Sequence, residues 1–164
     1  MNKTDFSNNI HLSLEYLDRL SMRSKYLYKA YQIKKHNGSE RLIESPNQEL
    51  KGVQNWILEN ILYTIDLSDS VHGFRKKHSI RTNAIPHLGH QYIIVFDIKD
   101  FFPSITYQDI FYVFSKKFFC DIPLSIMLTS LCIYENHLPQ GGVCSPCLAN
   151  IVFSNIDTKI DHIC

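Results

Sequence analysis

Residues 91–105 read QYIIVFDIKDFFPSI, and this stretch decides the fold. Residues 93–96 form an unbroken β-branched and aromatic run, which predicts a strand over residues 91–98 that is covered on both faces. Asp97 and Asp100 follow directly, and carboxylates at the end of a buried strand are costly unless a cation accompanies them. Either they serve a function that uses a cation, or Asp100 or Ser104 caps the next helix while Asp97 lies at the surface.

The segments on either side of this stretch show both strand and helix signals. Residues 31–33 and 41–43 are short β-type runs around His36-Asn37-Gly38-Ser39, and Asn-Gly between two such runs predicts a hairpin. Trp56 is expected in the core, on a helix that starts at Gln48 and repeats Leu50, Val53, Ile57 and Ile61 on one face. Apolar spacing also predicts helices over residues 12–28, 106–119, 123–134 and 148–160.

The composition describes a single domain with a core. The 164 residues are 45% hydrophobic and 20% charged, with no internal repeat and no linker-like segment. No apolar run approaches the length of a membrane span, and residues 1–11 lack the pattern of a secretory signal. We therefore expect a cytoplasmic protein that does not contact a membrane.

The net charge of +1 hides an uneven distribution along the chain. Residues 1–81 carry 13 Lys and Arg against 9 Asp and Glu, whereas residues 82–164 carry 4 against 7. Two basic clusters, within residues 34–41 and 75–81, supply much of the excess. Such clusters bind a polyanion or are simply solvated loops.

The cysteines do not indicate a disulfide framework, because there are five of them in a chain expected in the cytoplasm. Cys144-Ser145-Pro146-Cys147 is formally a C-x-x-C motif. A zinc site would need a second such pair or a spaced histidine pair, and a redox site would need a strand-to-helix context. Neither is evident, so zinc and redox chemistry are disfavoured.

Five blocks of sequence, in order, resemble the reverse transcriptases of bacterial retrons and their relatives. Residues 31–43 are similar to the first fingers hairpin of that family, and residues 46–58 to the helix after it. The other blocks are His72-Gly73-Phe74 with Ser79-Ile80 and Asn83-Ala84-x-x-His87 for the next part of the fingers, residues 96–105 for motif A, and Leu138-Pro139-Gln140-Gly141 with Ser145-Pro146 and Ala149-Asn150 for motif B. Motif B departs from its relatives at residues 142–144 and at Cys147, where they often have Ala-Pro-Thr and Ala, so the C-x-x-C is a local variant of this loop.

The resemblance implies an α+β fold, the fingers and palm of a right-hand polymerase with an antiparallel palm sheet. Residues 1–90 would form N-terminal helices and fingers, and residues 91–164 the N-terminal palm with motifs A and B. The Tyr-x-Asp-Asp hairpin of motif C and the thumb have no counterpart up to Cys164. We therefore expect a domain that is truncated before them and inactive alone. Asp157 and Asp161 cannot replace the Asp-Asp pair of that hairpin, because they lie four residues apart on a predicted helix.

The implied activity is RNA-directed DNA synthesis from dNTPs by two-metal nucleotidyl transfer. Mg²⁺ is the implied cofactor, because it prefers oxygen ligands, and the resemblance makes Asp97 catalytic and a metal ligand together with the Ile98 carbonyl. Phe102 corresponds to an aromatic gate against a ribose 2′-hydroxyl, although core packing also explains it and suits Phe101 better. The residues implied in nucleotide binding are Lys35, Arg41, Asp100, Phe101, Phe102, Gln140 and Gly141. Lys34 is an alternative to Lys35.

Arg75, Lys76 and Arg81 are expected on the template backbone, in contacts that depend on salt and not on sequence. The implied partners are an RNA template, a DNA primer or product, and dNTPs, in an anti-phage or retroelement setting. A structured non-coding RNA and a complementing chain with the remaining palm and thumb are further partners to consider. The alternative functions are a non-catalytic nucleic-acid-binding module and one half of a split polymerase.

Overall fold

The computed structural model describes residues 1–34 and 38–162, which contain a two-stranded antiparallel sheet, eight α-helices, short 3₁₀ turns and irregular segments. The strands are β1 (Tyr28–Lys34) and β2 (Glu40–Pro46). The helices are α1 (Lys3–Ile10), α2 (Leu14–Arg23), α3 (Gln48–Asn60), α4 (Ile80–Ala84), α5 (Phe101–Ser104), α6 (Tyr107–Tyr112), α7 (Ile122–Cys132) and α8 (Ser145–Asp161). A π-helical turn, Val113–Lys117, continues α6.

The predicted hairpin is confirmed. β1 pairs with β2 from Tyr28 opposite Pro46 to Lys34 opposite Glu40, and the predicted turn residues His36 and Asn37 lie outside the described residues. The outer part of the ribbon is exposed, whereas the base of β2 is buried. The hairpin therefore extends from the body and is held at its base.

The predicted helices are also confirmed, with shifted ends. The helix expected over residues 12–28 is α2, which ends at Arg23 before a 3₁₀ turn leads into β1. α3 begins where the Asn47 side chain accepts a hydrogen bond from the Leu50 N–H at 2.9 Å, a standard N-cap. Trp56 is only half-buried and packs edge-on against Phe6, with ring centroids 5.4 Å apart. The sequence pattern predicts it inside the core, but it lies at the edge of the core.

Helix α7 is the centre of the core, because it is apolar on nearly every face and packs against α1, α2, α3 and α6. Leu124, Leu128 and Leu131 are fully buried there. Among the described residues, no helix is both long enough and apolar enough to cross a membrane.

One buried amide joins three parts of this core. The Gln54 side chain, on α3, is fully buried, and its Nε2 donates to the Tyr28 hydroxyl at 2.8 Å and to the Leu131 carbonyl at 2.7 Å. Its Oε1 accepts from the Val143 N–H at 3.1 Å. Gln54 therefore connects β1 and α7 to residues 138–143, which we call the motif B turn.

The predicted strand over residues 91–98 is wrong. The segment has no regular secondary structure, and Tyr92, Ile94 and Val95 are 86%, 88% and 87% exposed. A strand needs a hydrogen-bonded neighbour, and β1–β2 is the only sheet within residues 1–34 and 38–162. The antiparallel palm sheet that the resemblance implies is consequently not formed, and the apolar run stays at the surface.

The substitution Gln54→Leu should lower the free energy of unfolding by about 2–4 kcal/mol, because it leaves the buried Leu131 carbonyl and the partly buried Val143 N–H without their partner. Urea denaturation followed by circular dichroism measures the loss. Gln32→Leu, on the exposed part of β1, is the matched control and should change stability by no more than about 0.5 kcal/mol. Equal unfolding midpoints for the two variants would contradict the role of the amide.

Candidate functional site

Three segments that carry predicted site residues meet at the base of the hairpin. The Leu138 N–H donates to the Ile105 carbonyl at 3.0 Å, which joins the motif B turn to the end of motif A. The Glu44 N–H, on β2, donates to the Gln140 carbonyl at 2.8 Å. Backbone hydrogen bonds thus connect the hairpin, motif A and motif B.

A contact between a buried carboxylate and a histidine strengthens this junction. The Glu44 carboxylate belongs to a residue that is only 4% exposed, and its oxygens lie 2.9 and 3.1 Å from Nε2 of His137. Nδ1 of His137 lies 3.3 Å from the Glu135 carbonyl, so both ring nitrogens face oxygen acceptors. A ring N–H at Nε2 would donate to the buried carboxylate, which needs such a partner.

Sequence reasoning missed this pair. Glu44 and His137 lie 93 residues apart, and no motif connects them. The only sequence signals are an acidic residue near the buried end of β2 and a histidine directly before Leu138-Pro139-Gln140-Gly141. Neither signal identifies the other as its partner.

Gly141 makes the close approach of the motif B turn to β2 sterically accessible. Its φ is +133°, and a Cβ at this position would lie 2.9 Å from the Glu44 carbonyl oxygen and 3.1 Å from Cγ2 of Ile43. A side chain would therefore strain the backbone and push the turn away from β2. Of the predicted nucleotide-binding residues, Gln140 and Gly141 are those placed beside the hairpin.

The motif A carboxylates lie on the exposed segment. Asp97, Ile98 and Asp100 are all solvent-exposed, and Asp100 adopts a left-handed conformation with φ of +51° directly before α5. Its side chain makes no capping hydrogen bond with α5, and the Ser104 hydroxyl instead donates back to the Phe101 carbonyl at 2.7 Å. The capping explanation for these residues is therefore not supported.

Phe101 and Phe102 are half-buried and pack edge-on, with ring centroids 6.0 Å apart. Phe101 also contacts Phe153 of α8, at 5.4 Å, and lines a cavity of about 370 Å³ between α8 and residues 70–83. Asn150 of α8 spans this region by donating to the Gly73 carbonyl at 2.8 Å. Motif B thus contacts the second fingers block, and Phe101 of motif A lines the same cavity.

The described residues do not by themselves fit a Mg²⁺ site. Asp97 and the Ile98 carbonyl are ligands of the type that Mg²⁺ prefers. No group of three His, Cys, Asp or Glu side chains within residues 1–34 and 38–162 is placed to hold a metal ion. An octahedral ion would need further ligands.

The two aspartates of α8, Asp157 and Asp161, lie near the loop of residues 68–70. The hydroxyls of Ser70 and Ser68 donate to Asp161 at 2.5 and 2.7 Å and hold its pKa below the usual value. Partial burial, followed by the charge of Asp161, raises the pKa of Asp157. Asp161 therefore attaches the end of α8 to the loop of residues 68–70.

The predicted template-binding cations are in different environments. The Arg75 guanidinium turns inward, donating to the Ser68 carbonyl at 2.6 Å and to that of Val71 at 3.4 Å. Arg75 therefore organises its own loop and does not face solvent as a free cation would. Arg81, by contrast, is exposed on α4.

Lys76 is paired with Glu59 and lies over the Tyr63 ring, 4.4 Å from its centroid. Arg41 is exposed on β2, opposite Ile33 of β1. Lys35 lies outside the described residues, and Lys34 is the last residue of β1.

The C-x-x-C cysteines are packed into the body. The Cys144 thiol donates to the Gln54 backbone carbonyl at 3.1 Å, and burial raises its pKa well above the usual value. Burial also raises the pKa of Cys147 to about 11. Both thiols therefore stay protonated at neutral pH, whereas nucleophilic or metal-binding cysteines act as thiolates.

Comparison with known proteins identifies the family of this chain. Residues 33–164 match the family described as reverse transcriptase (RNA-dependent DNA polymerase). The chain therefore belongs to the reverse transcriptase family, and its relatives make it retron-type, which confirms the resemblance predicted from its motifs.

The relatives include two proteins of Escherichia coli. The chain is 38% identical over 161 residues to retron Ec86 reverse transcriptase, an alignment that covers 97% of this chain and 50% of that protein. It is 32% identical over 149 residues to retron Ec73 reverse transcriptase, with 85% and 47% covered. Retron Se72 reverse transcriptase of Salmonella heidelberg (strain 579083-10) is 33% identical over 134 residues, with 81% and 35% covered. The chain thus spans half or less of the length of these relatives.

Gly141→Ala should destabilise the protein by about 1–3 kcal/mol, since it forces a Cβ against β2 at a positive φ. Thermal or urea unfolding measures the change. Gly52→Ala is the matched control, because a Cβ there meets nothing within 4 Å inside helix α3 and should stabilise slightly. Unchanged stability in Gly141→Ala would show that the turn does not depend on this contact.

Proposed function

We propose that this chain is the fingers and N-terminal palm portion of an RNA-directed DNA polymerase, which extends a DNA primer on an RNA template. The observation that carries the proposal is the junction at the hairpin base, where Glu44 bonds to Gln140 and Leu138 bonds to Ile105. It joins the three segments in which the family resemblance places nucleotide-binding residues.

In this proposal, the side-chain amide of Gln140 and the closely approaching backbone of Gly141 contact the incoming nucleotide. Arg41 binds the triphosphate, because a forked guanidinium can donate two hydrogen bonds to phosphate oxygens. Phe102 acts as the gate against a 2′-hydroxyl, supported by its edge-on contact with Phe101. Asp100 and Lys35 remain proposed nucleotide contacts on the family resemblance alone.

We retain Mg²⁺ as the cofactor of the whole enzyme on the same resemblance. Asp97 is the proposed catalytic carboxylate, and it would hold the metal together with the Ile98 carbonyl. Asp97 is exposed and lies within the unpaired segment of residues 91–98, so it is open to further ligands. Those ligands are not among the described residues, which fits the proposal that residues 1–164 are inactive alone.

Nucleic acid is the proposed macromolecular partner, since residues 1–81 carry the excess of basic residues. Arg81 and Lys76 are the proposed contacts to the template backbone. Arg75 supports them indirectly by holding its loop through the Ser68 carbonyl. RNA with a defined fold and a complementing chain remain proposed partners.

The exposed cations Arg41 and Arg81 support a second candidate for residues 1–164 taken alone. In that case they form a nucleic-acid-binding unit without chemistry, or one half of a split polymerase. The two candidates differ in whether supplying the remaining palm and thumb produces DNA synthesis.

Residues 1–164 alone should show no primer extension on a poly(rA) template with an oligo(dT) primer, in Mg²⁺ or Mn²⁺. Joining them to the part of retron Ec86 reverse transcriptase that they do not match should give incorporation of dTTP. Asp97→Asn in this joined enzyme should abolish incorporation, since it removes a carboxylate from the proposed metal site.

Glu15→Gln, which alters an exposed carboxylate on α2 outside the proposed site, is the control and should retain activity. Incorporation by residues 1–164 alone would contradict the proposed inactivity. Full activity of Asp97→Asn would contradict the catalytic role, and an inactive joined enzyme that folds normally would favour the binding unit.

A further inference from the structure

A cavity of about 380 Å³ lies between the loop of residues 74–78 and residues 62–67, which follow α3. We call it the loop cavity. Leu62, Leu67 and Cys147 contribute apolar surface to it, and the rings of Tyr63 and Phe74 line it as well. A concave apolar surface of this size is typical of a site for a small organic group.

Two residues of the loop that borders this cavity have an unfavourable backbone conformation. Phe74 has φ of +54° and Lys77 has φ of +65°, both in the left-handed region that non-glycine residues rarely adopt. The inward hydrogen bonds of Arg75 to the Ser68 and Val71 carbonyls hold the backbone there. Backbone strain of this kind persists only where surrounding structure enforces it, and it concentrates at functional sites.

The strained backbone keeps an aromatic ring in solvent. Phe74 is 68% exposed, although burial against the nearby apolar residues would be favourable. Its neighbour Lys77 is exposed as well, and both line the loop cavity. An exposed ring beside a cation is suited to a ligand that has both a flat π surface and a negative charge.

Three cations line the cavity, namely Arg75, Lys76 and Lys77, together with one acidic residue among the described residues, Asp66. Arg75 and Lys76 are paired with Asp69 and Glu59, so Lys77 is the lysine or arginine of this wall that has no ion pair within the described residues. Lys76 lies over the Tyr63 ring, which fixes the orientation of that ring at the cavity wall. Aromatic rings beside a track of cations characterise surfaces that bind single-stranded nucleic acid.

We propose that the loop cavity binds an unstacked nucleotide of single-stranded RNA. The base stacks on Phe74 and faces Tyr63, and Lys77 contacts the adjacent phosphate. The proposal rests on the proposed function, which makes RNA the expected strand. It also changes the assignment made from sequence, because Phe74 and Lys77 make the contacts while Arg75 shapes the loop.

The test measures binding of a fluorescein-labelled oligo(U) to residues 1–164 by anisotropy at several salt concentrations. Phe74→Ala should weaken affinity at least about five-fold, since loss of one base stack has an effect of this size. Phe74→Tyr, which keeps a ring, should retain affinity. Lys77→Ala should reduce the slope of log affinity against log salt by about 0.7, the value for one lost phosphate contact on a single strand.

Tyr26→Ala is the matched control, because Tyr26 is also exposed and has a lysine, Lys25, 4.9 Å from its ring centroid. It lies outside the loop cavity, so oligo(U) affinity should not change. Equal effects of Phe74→Ala and Tyr26→Ala would overturn the proposal. Displacement of oligo(U) by free UMP at equal concentration would also overturn it, because the ligand would then be a free nucleotide.

Photocrosslinking keeps the proposal testable if Phe74→Ala does not fold. Oligo(U) with one 5-iodouridine, irradiated with the unaltered chain, should give an adduct on Phe74 or Tyr63 by peptide mass spectrometry. Adducts found only outside residues 62–78 would overturn the loop cavity and leave the polymerase proposal intact. If the joined enzyme fails to extend a primer while the adduct forms on Phe74, the RNA site stands and the polymerase proposal fails.

Discussion

The buried side-chain amide of Gln54 is the contact on which the arrangement of the site depends. It lies at the centre of α3 and satisfies the Tyr28 hydroxyl, the Leu131 carbonyl and the Val143 N–H at once. Without it the Leu131 carbonyl would be buried without this partner, and the partly buried Tyr28 hydroxyl and Val143 N–H would lose theirs, which makes alternative packings of the motif B turn unfavourable. A buried polar network of this kind selects one arrangement of the core.

The motif B turn is held on both sides by buried polar contacts. Directly before the turn, His137 pairs with Glu44, and at its last residue the Val143 N–H donates to Gln54. Between them, Gly141 allows the backbone to lie against β2. The proposed nucleotide contacts are therefore ordered relative to the hairpin, whereas Asp97 lies on a segment without a strand partner among residues 1–34 and 38–162. The part of the proposed site formed by the hairpin and the motif B turn is therefore held in place by hydrogen bonds, whereas the motif A segment that carries Asp97 is not paired with another strand in the described part of the chain.

Local signals predicted the hairpin and the helices, because Asn37-Gly38 and the 3.6-residue spacing of α3 act over a few residues. The prediction of a strand over residues 91–98 was wrong. The run from Ile93 to Phe96 has strand propensity, but a strand also needs a neighbour to pair with, and none is present among the described residues. The motifs were enough for the family. They did not identify the pairing of Glu44 with His137, which depends on contacts 93 residues apart, or the inward turn of Arg75.

Amide hydrogen exchange of residues 1–164, read residue by residue, tests the central claim most directly. The claim is that buried polar contacts order the motif B turn against the hairpin while the motif A segment is unpaired. The amides of Glu44 and Val143, which donate to Gln140 and Gln54, should exchange only through large-scale unfolding. The amides of residues 92–96 should exchange at nearly the rate of an unstructured chain. Exchange of Glu44 and Val143 as fast as that of residues 92–96, or strong protection of residues 92–96, would contradict the account.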